Sequence, residues 1–230
     1  AGILLDRVAD LYPTFDFLTE AWTYEKQYPS NHGYVSVWHD ACEETRELAL
    51  AYDQVFEALR EDPEWVAFLS RQAHARHLPR RKDSFEEVRA NIEDGLLRHP
   101  LAHRQKIESN PPRTDLALFT LQAILSWHEN PDPIRAGIER IIDAHTGTDG
   151  VTGEKGLYNY SAFAIQSLAQ FLQTFERMSP GFLKEMVRTH PRLRETWRFH
   201  IDTWCLQSYY PSCGDSGWFA NRVPQYAGVV

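Results

Sequence analysis

Leu48-Ala49-Leu50-Ala51-Tyr52-Asp53-Gln54-Val55-Phe56-Glu57-Ala58-Leu59 decides the fold class. Leu48, Tyr52, Val55, Phe56 and Leu59 recur at the three- and four-residue steps that place side chains on one face of an α-helix. The pattern predicts a helix over about 39–60, closed by Asp62-Pro63, with a second over 64–75. Ser84-Phe85-Glu86-Glu87 is a capping box, so another helix starts there and runs towards Arg98. Leu116, Phe119, Leu121, Ile124 and Leu125 mark a more apolar helix after Pro111-Pro112. Asp132-Pro133 supplies a cap and a first-turn proline for residues 134–144. A long stripe through Phe163, Leu168, Phe171, Leu172 and Phe175 covers 160–178. Ser179-Pro180 precedes a helix over 181–189, and Pro191 opens the last one, through Trp197 and Ile201.

No β-branched alternation interrupts this series before residue 206, and no 33- to 45-residue unit recurs with fixed anchors. The expectation is an all-α array of antiparallel helical hairpins over residues 1–230, with no internal domain boundary. The chain has 230 residues, 43% hydrophobic and 24% charged, enough for a sizeable core without disulfide or metal staples. Its 24 Lys+Arg against 32 Asp+Glu leave a formal charge of −8, which weighs against nucleic acid or an anionic membrane as partner. No apolar run is long enough to span a bilayer. Cys42, Cys205 and Cys213 form no zinc-ligand pattern, and neither metal nor cofactor is expected; a Cys205–Cys213 bridge is one option beside free thiols. Ten His and 13% aromatics stand out. Aromatic-rich chains often line carbohydrate grooves, although seven tryptophans serve equally well as core filler.

Two turn clusters carry residues suited to chemistry. The loop Asp149-Gly150-Val151-Thr152-Gly153-Glu154-Lys155-Gly156-Leu157-Tyr158-Asn159-Tyr160 has three glycines and delivers two tyrosines to a helix start, where backbone amides favour developing negative charge. The second is Tyr209-Tyr210-Pro211-Ser212-Cys213-Gly214-Asp215-Ser216-Gly217-Trp218. Its Gly-Asp-Ser-Gly mimics a serine-protease signature without a matched His and Asp set. Asp215 fits a cleft hydrogen bond, or a contact to a neighbouring domain, better. The run His74-Ala75-Arg76-His77-Leu78-Pro79-Arg80-Arg81-Lys82 is the one dense basic segment. It reads as a solvated inter-helix loop, or as an attractor of acidic polysaccharide.

The 48–53 helix, the loop Glu154-Lys155-Gly156 before Tyr158 and Tyr160, and the tail Tyr210-Pro211 with Gly214–Gly217 resemble the helical domain of heparinase II/III-like proteins. The likeness covers roughly residues 40–220. It implies an (α/α) toroid followed by a β-sandwich, so the 230 residues are expected to be a piece of a longer chain that continues past Val230. It further implies a periplasmic or extracellular polysaccharide lyase or lyase-like protein acting on an acidic polysaccharide or oligosaccharide. The implied reaction is β-elimination of a uronic acid, in which donors neutralise the sugar carboxylate while a tyrosine moves the proton. The family's tyrosine maps onto Tyr158, or Tyr160 in a shifted register. Its asparagine maps onto Asn110. Pro111-Pro112 stands where the family has a histidine, and His32 or His39 would supply that imidazole from another hairpin. Arg113, Lys155, Glu154, Trp38, His39 and Asp215 complete the expected substrate contacts. Two other classes remain open: a toroid glycoside hydrolase with carboxylates drawn from Asp149, Glu154, Asp202 and Asp215, and a helical scaffold without catalysis.

Overall fold

A computed structural model describes residues 1–16, 33–34, 38–147, 161–206 and 211, and among them the architecture is all-α. The chain divides into two compact units, Ala1–Pro131 and Asp132–Val230, with the division inside Asn130-Pro131-Asp132-Pro133. Among the described residues no helix is long and apolar enough to cross a membrane.

The first unit holds α1 (Gly2–Leu11), a 3₁₀ turn at Tyr12–Thr14, α2 (Trp38–Arg60) and α3 (Pro63–Ala75). α4 (Phe85–Ile92) passes through a π-helical segment (Glu93–Arg98) into α5 (His99–Ala102). A 3₁₀ turn at Arg104–Ile107 then leads to α6 (Arg113–Ser126). Helix starts follow local chemistry: the Asp62 carboxylate accepts from Trp65 N at 3.0 Å, and the Ser84 hydroxyl accepts from Glu87 N at 3.2 Å. The reciprocal half of the expected capping box is displaced by one residue, because the Glu87 carboxylate accepts from Asp83 N at 2.7 Å. α1 was not expected from the sequence. Ala1 offers no capping side chain, and Asp6 interrupts its apolar face although it is buried.

Contacts along α2 set the direction of its neighbours. Tyr12 Oη lies 3.0 Å from Thr45 Oγ1 near one end of α2, while Gly2 abuts Leu59 near the other, so α1 runs antiparallel to α2. The α4–α5 rod is antiparallel too: Phe85 meets Phe56, Tyr52 donates to Glu93 at 3.2 Å, and the Cys42 thiol donates to Ile107 O at 2.6 Å. α6 runs the other way. Cys42 Sγ lies 3.6 Å from Thr114 Oγ1, and Asp53, further along α2, feels the charge of His128 just past α6. α2 and α6 are therefore parallel and start at the same end. Between the elements Ile92, Leu96, Leu97 and Leu121 are fully excluded from water. Each such side chain stabilises the fold by roughly 1.5–3 kcal/mol. Gly95 lets the π segment approach α1, because a Cβ there would lie 2.5 Å from Ala9 O.

The basic run after α3 is only partly the solvated loop it resembled. Arg76, His77, Arg80 and Arg81 are exposed, but Lys82 is 1% exposed. Its ammonium donates to Asp6 at 2.5 Å and Asp10 at 2.8 Å, and the Asn91 amide donates to the same carboxylates at 2.9 and 3.0 Å. This buried cluster ties the loop and α4 to α1.

The second unit holds α7 (Asp132–His145), α8 (Ser161–Met178), α9 (Phe182–Thr189) and α10 (Arg192–Asp202). Phe171, Phe175, Phe182, Met186 and Leu193 fill its interior. α9 is capped from a distance: the Glu176 carboxylate accepts from Gly181 N at 2.9 Å and Leu183 N at 2.7 Å, with Gly181 at φ 92°. The same bonds hold its carboxyl below the usual range. His200 is fully buried, and burial pushes its imidazole down to about 4. The unfolded chain takes up that proton near pH 6.5 and the folded chain does not. Stability contributed by the neutral ring is therefore present above about pH 6.5 and is lost as pH falls towards 4. The His200 ring resonance should remain that of a neutral imidazole until the pH approaches 4; titration near the free-histidine value would contradict its burial.

Candidate functional site

The shared starting end of α2 and α6 gathers the expected site residues that the structure describes. α2 begins at Trp38 and His39, and α6 begins three residues after Asn110, at Arg113. The backbone brings these together because the α6 approach is stitched to α2 from below. Thr114 Oγ1 accepts from Ser109 N at 2.7 Å and donates to Ile107 O at 3.1 Å, and the Cys42 thiol bonds to that same carbonyl. Asn110 is half-buried, and its carbonyl accepts from Arg113 N at 3.0 Å. Two parallel helices thus present first-turn amides at one end, where their partial positive charge favours an anion.

Side-chain charge at this end is mixed. Arg113 faces Glu43 at 3.6 Å, and Arg104 pairs with Asp115 at 2.7 Å. The bond to Asp115 raises the Arg104 guanidinium further above its ordinary value. Lys106 donates to Phe15 O at 2.5 Å and sits 4.8 Å above the Tyr34 ring. Beneath them, Tyr34 Oη lies 2.7 Å from His99 Nδ1, and the His99 and His103 rings stack at 4.0 Å. Burial first, then the charges of His103 and Lys106, push the His99 imidazole down to about 4, so it accepts and Tyr34 donates. Burial holds the Tyr34 phenol far above its ordinary value. With Tyr34 fully excluded from solvent, this pair is a core link rather than an acid and base for substrate.

Cys42 is equally inert. Burial pushes its thiol up to about 11, against a smaller opposing effect from the Thr114 hydrogen bond. An alkylating reagent at neutral pH should leave Cys42 unmodified in the native protein and modify it once the protein is unfolded. Peptide mapping that found native Cys42 alkylated would contradict the packing of α2 on α6.

Of the expected site residues, Asn110 and Arg113 are brought to the common end with the α2 start carrying Trp38 and His39. Tyr158, Tyr160, His32, Glu154, Lys155 and Asp215 lie outside the described residues. So do Cys213, and with it the Cys205–Cys213 option, and Asp149 among the carboxylates considered for a hydrolase. Asp202, the remaining carboxylate, makes an exposed pair with Arg198 at 3.2 Å within α10, an ordinary solvated surface ion. Glu43, Arg104, Lys106 and the Tyr34–His99 pair were not anticipated. Glu43 and Arg113 stand 70 residues apart, and no local spacing announces that they meet. Among the described residues no group of three or more His, Cys, Asp or Glu is placed to hold a metal ion. No protein-family model, curated protein or solved structure matches this chain.

Proposed function

We propose that this chain is the helical domain of a polysaccharide lyase or lyase-like protein, with the sugar carboxylate received at the starting end of α2 and α6. One observation carries the reading: α2 and α6 run parallel and place the α2 start, Asn110 and Arg113 together. Hairpins repeated side by side make every second helix parallel, as an (α/α) toroid-like array requires.

The chemistry follows from the charges. A uronate C5–H becomes acidic only when its neighbouring carboxylate is neutralised, since the intermediate otherwise carries two adjacent negative charges. The Asn110 amide, the Arg113 guanidinium and the first-turn amides of α6 are donors of the required kind. Tyr158, or Tyr160, takes the C5 proton as phenolate. The C5 electron pair forms the C4=C5 double bond, the C4–O bond breaks, and the departing oxygen takes a proton from the tyrosine. Lys155 keeps the phenol's pKa low enough for this role. The test is direct: the intact protein, incubated with a panel of uronate polymers, should release products bearing the ultraviolet absorbance of an unsaturated uronate. Reducing ends released without that absorbance would mark a hydrolase, and no cleavage of any uronate polymer would remove the lyase reading.

A further inference from the structure

The ion pair at the junction of α2 and α6 is looser than its neighbours. Cys42 against Thr114 is the buried contact between the two helices. One residue to the side of each, Glu43 and Arg113 meet at the solvent edge, with Glu43 Oε1 3.6 Å from Arg113 Nη1. That separation is too long for a hydrogen bond. Arg104, by contrast, donates to Asp115 at 2.7 Å, and Arg46 donates to Glu47 at 3.2 Å. Those carboxylates are seated on their guanidiniums, whereas Glu43 only faces its own.

Exposure divides the pair unequally. The Arg113 side chain is 21% exposed and that of Glu43 is 55% exposed. Arg113 is the first residue of α6, and its N–H donates to Asn110 O. The next residue, Thr114, is tied to Ser109 and Ile107. The guanidinium therefore stands on an anchored turn, and Glu43 reaches it from water on a long side chain that can turn away at small cost. An incoming carboxylate that takes two parallel hydrogen bonds at about 2.8 Å outcompetes a glutamate standing at 3.6 Å.

Competition of this kind has a definite sign. A sugar carboxylate on Arg113 lies beside Glu43 and is repelled by it, so Glu43 weakens the binding of an acid and has little effect on an uncharged sugar. A largely exposed pair is worth only a few-fold in affinity, so Glu43 tunes the site without closing it.

We infer that Glu43 is the resident counter-ion of the proposed carboxylate site. It occupies Arg113 in the free protein, the uronate carboxylate displaces it, and it competes for Arg113 again as the product leaves. The inference rests on the polysaccharide reading for the ligand and deepens it by naming the residue that sets the site's affinity. Glu43 touches no reacting atom and acts through Arg113.

Amide NMR titration of the intact protein with galacturonate, glucuronate and mannuronate tests this; as single sugars they have no glycosidic bond to break. At least one should shift the amides of residues 110–114. Glu43→Gln should tighten that binding roughly two- to fivefold and leave binding of the same uronate's methyl ester unchanged. A merely structural glutamate would weaken both when replaced. Glu47, one turn further along α2, is 65% exposed and paired with Arg46, so Glu47→Gln removes the same charge and should leave uronate affinity at the parental value. Uronate binding by Glu43→Gln no tighter than the parent's, equal tightening for the methyl ester, or equal tightening by Glu47→Gln would each overturn Glu43 as the competitor, while the response of residues 110–114 leaves the site standing. No response of residues 110–114 to any of the three uronates would overturn both.

Discussion

Lys82→Met should lower the unfolding free energy by about 3–5 kcal/mol, the usual cost of removing one partner from a buried ion pair. The methionine fills similar volume but leaves Asp6, 3% exposed, and the largely buried Asp10 with the Asn91 amide and, for Asp10, the half-exposed Arg7 at 3.6 Å as remaining partners. Burial already pushes the Asp6 carboxyl above its ordinary 3.8, and the Lys82 hydrogen bond and charge oppose that shift. Without Lys82 the rise must be larger. A carboxyl whose folded-state pKa is raised favours the fold while protonated, and that contribution is lost as pH rises through the folded value. The variant's deficit should therefore be smallest in acid and grow towards neutral pH. Adding Asp6→Leu should recover part of the loss, since it removes an uncompensated charge. Denaturant melts of the three proteins at acidic and neutral pH decide the matter. A Lys82→Met variant as stable as the parent at neutral pH would show that the cluster contributes nothing net.

Tyr158→Phe should reduce turnover of a uronate polymer by roughly 10²–10⁴ while the melting profile stays unchanged. In the proposed mechanism the phenol moves the proton, and phenylalanine keeps its shape without its oxygen. A phenol of ordinary pKa near 10 is a weak base at neutral pH, so the proposed mechanism assigns Lys155 and the helix amides after Asn159 to stabilising the phenolate. Lys155→Ala should accordingly move the ascending, acid-side limb of the pH–rate profile to higher pH, an effect that lost packing would not produce. Turnover lost in Tyr160→Phe but retained in Tyr158→Phe would place the base two residues later. Retention in both variants would end the mechanism at this loop.

What the sequence made legible follows the range of the forces involved. α2, α3 and α4 were readable because their periodicity and the Asp62 and Ser84 caps act within four residues. α1 was not, because it is held from afar, by Lys82 and Asn91 on Asp6 and Asp10. Lys82 looked solvated for the same reason: its partners precede it by 76 and 72 residues. The division at Asn130–Pro133 resembled any other turn, since a unit boundary depends on which faces pack rather than on the turn itself. At the candidate site, Asn110 and Arg113 were singled out, but the Glu43 and Cys42 contacts that join α6 to α2 were not.

The sugar carboxylate is proposed to bind at the common starting end of α2 and α6. A crystal structure of the intact protein with a bound uronate oligosaccharide tests it most directly. The expected result is a sugar carboxylate within hydrogen-bond distance of the Asn110 amide or the Arg113 guanidinium, with the first-turn amides of α6 behind it. An oligosaccharide bound elsewhere, with no sugar at that end, would contradict it.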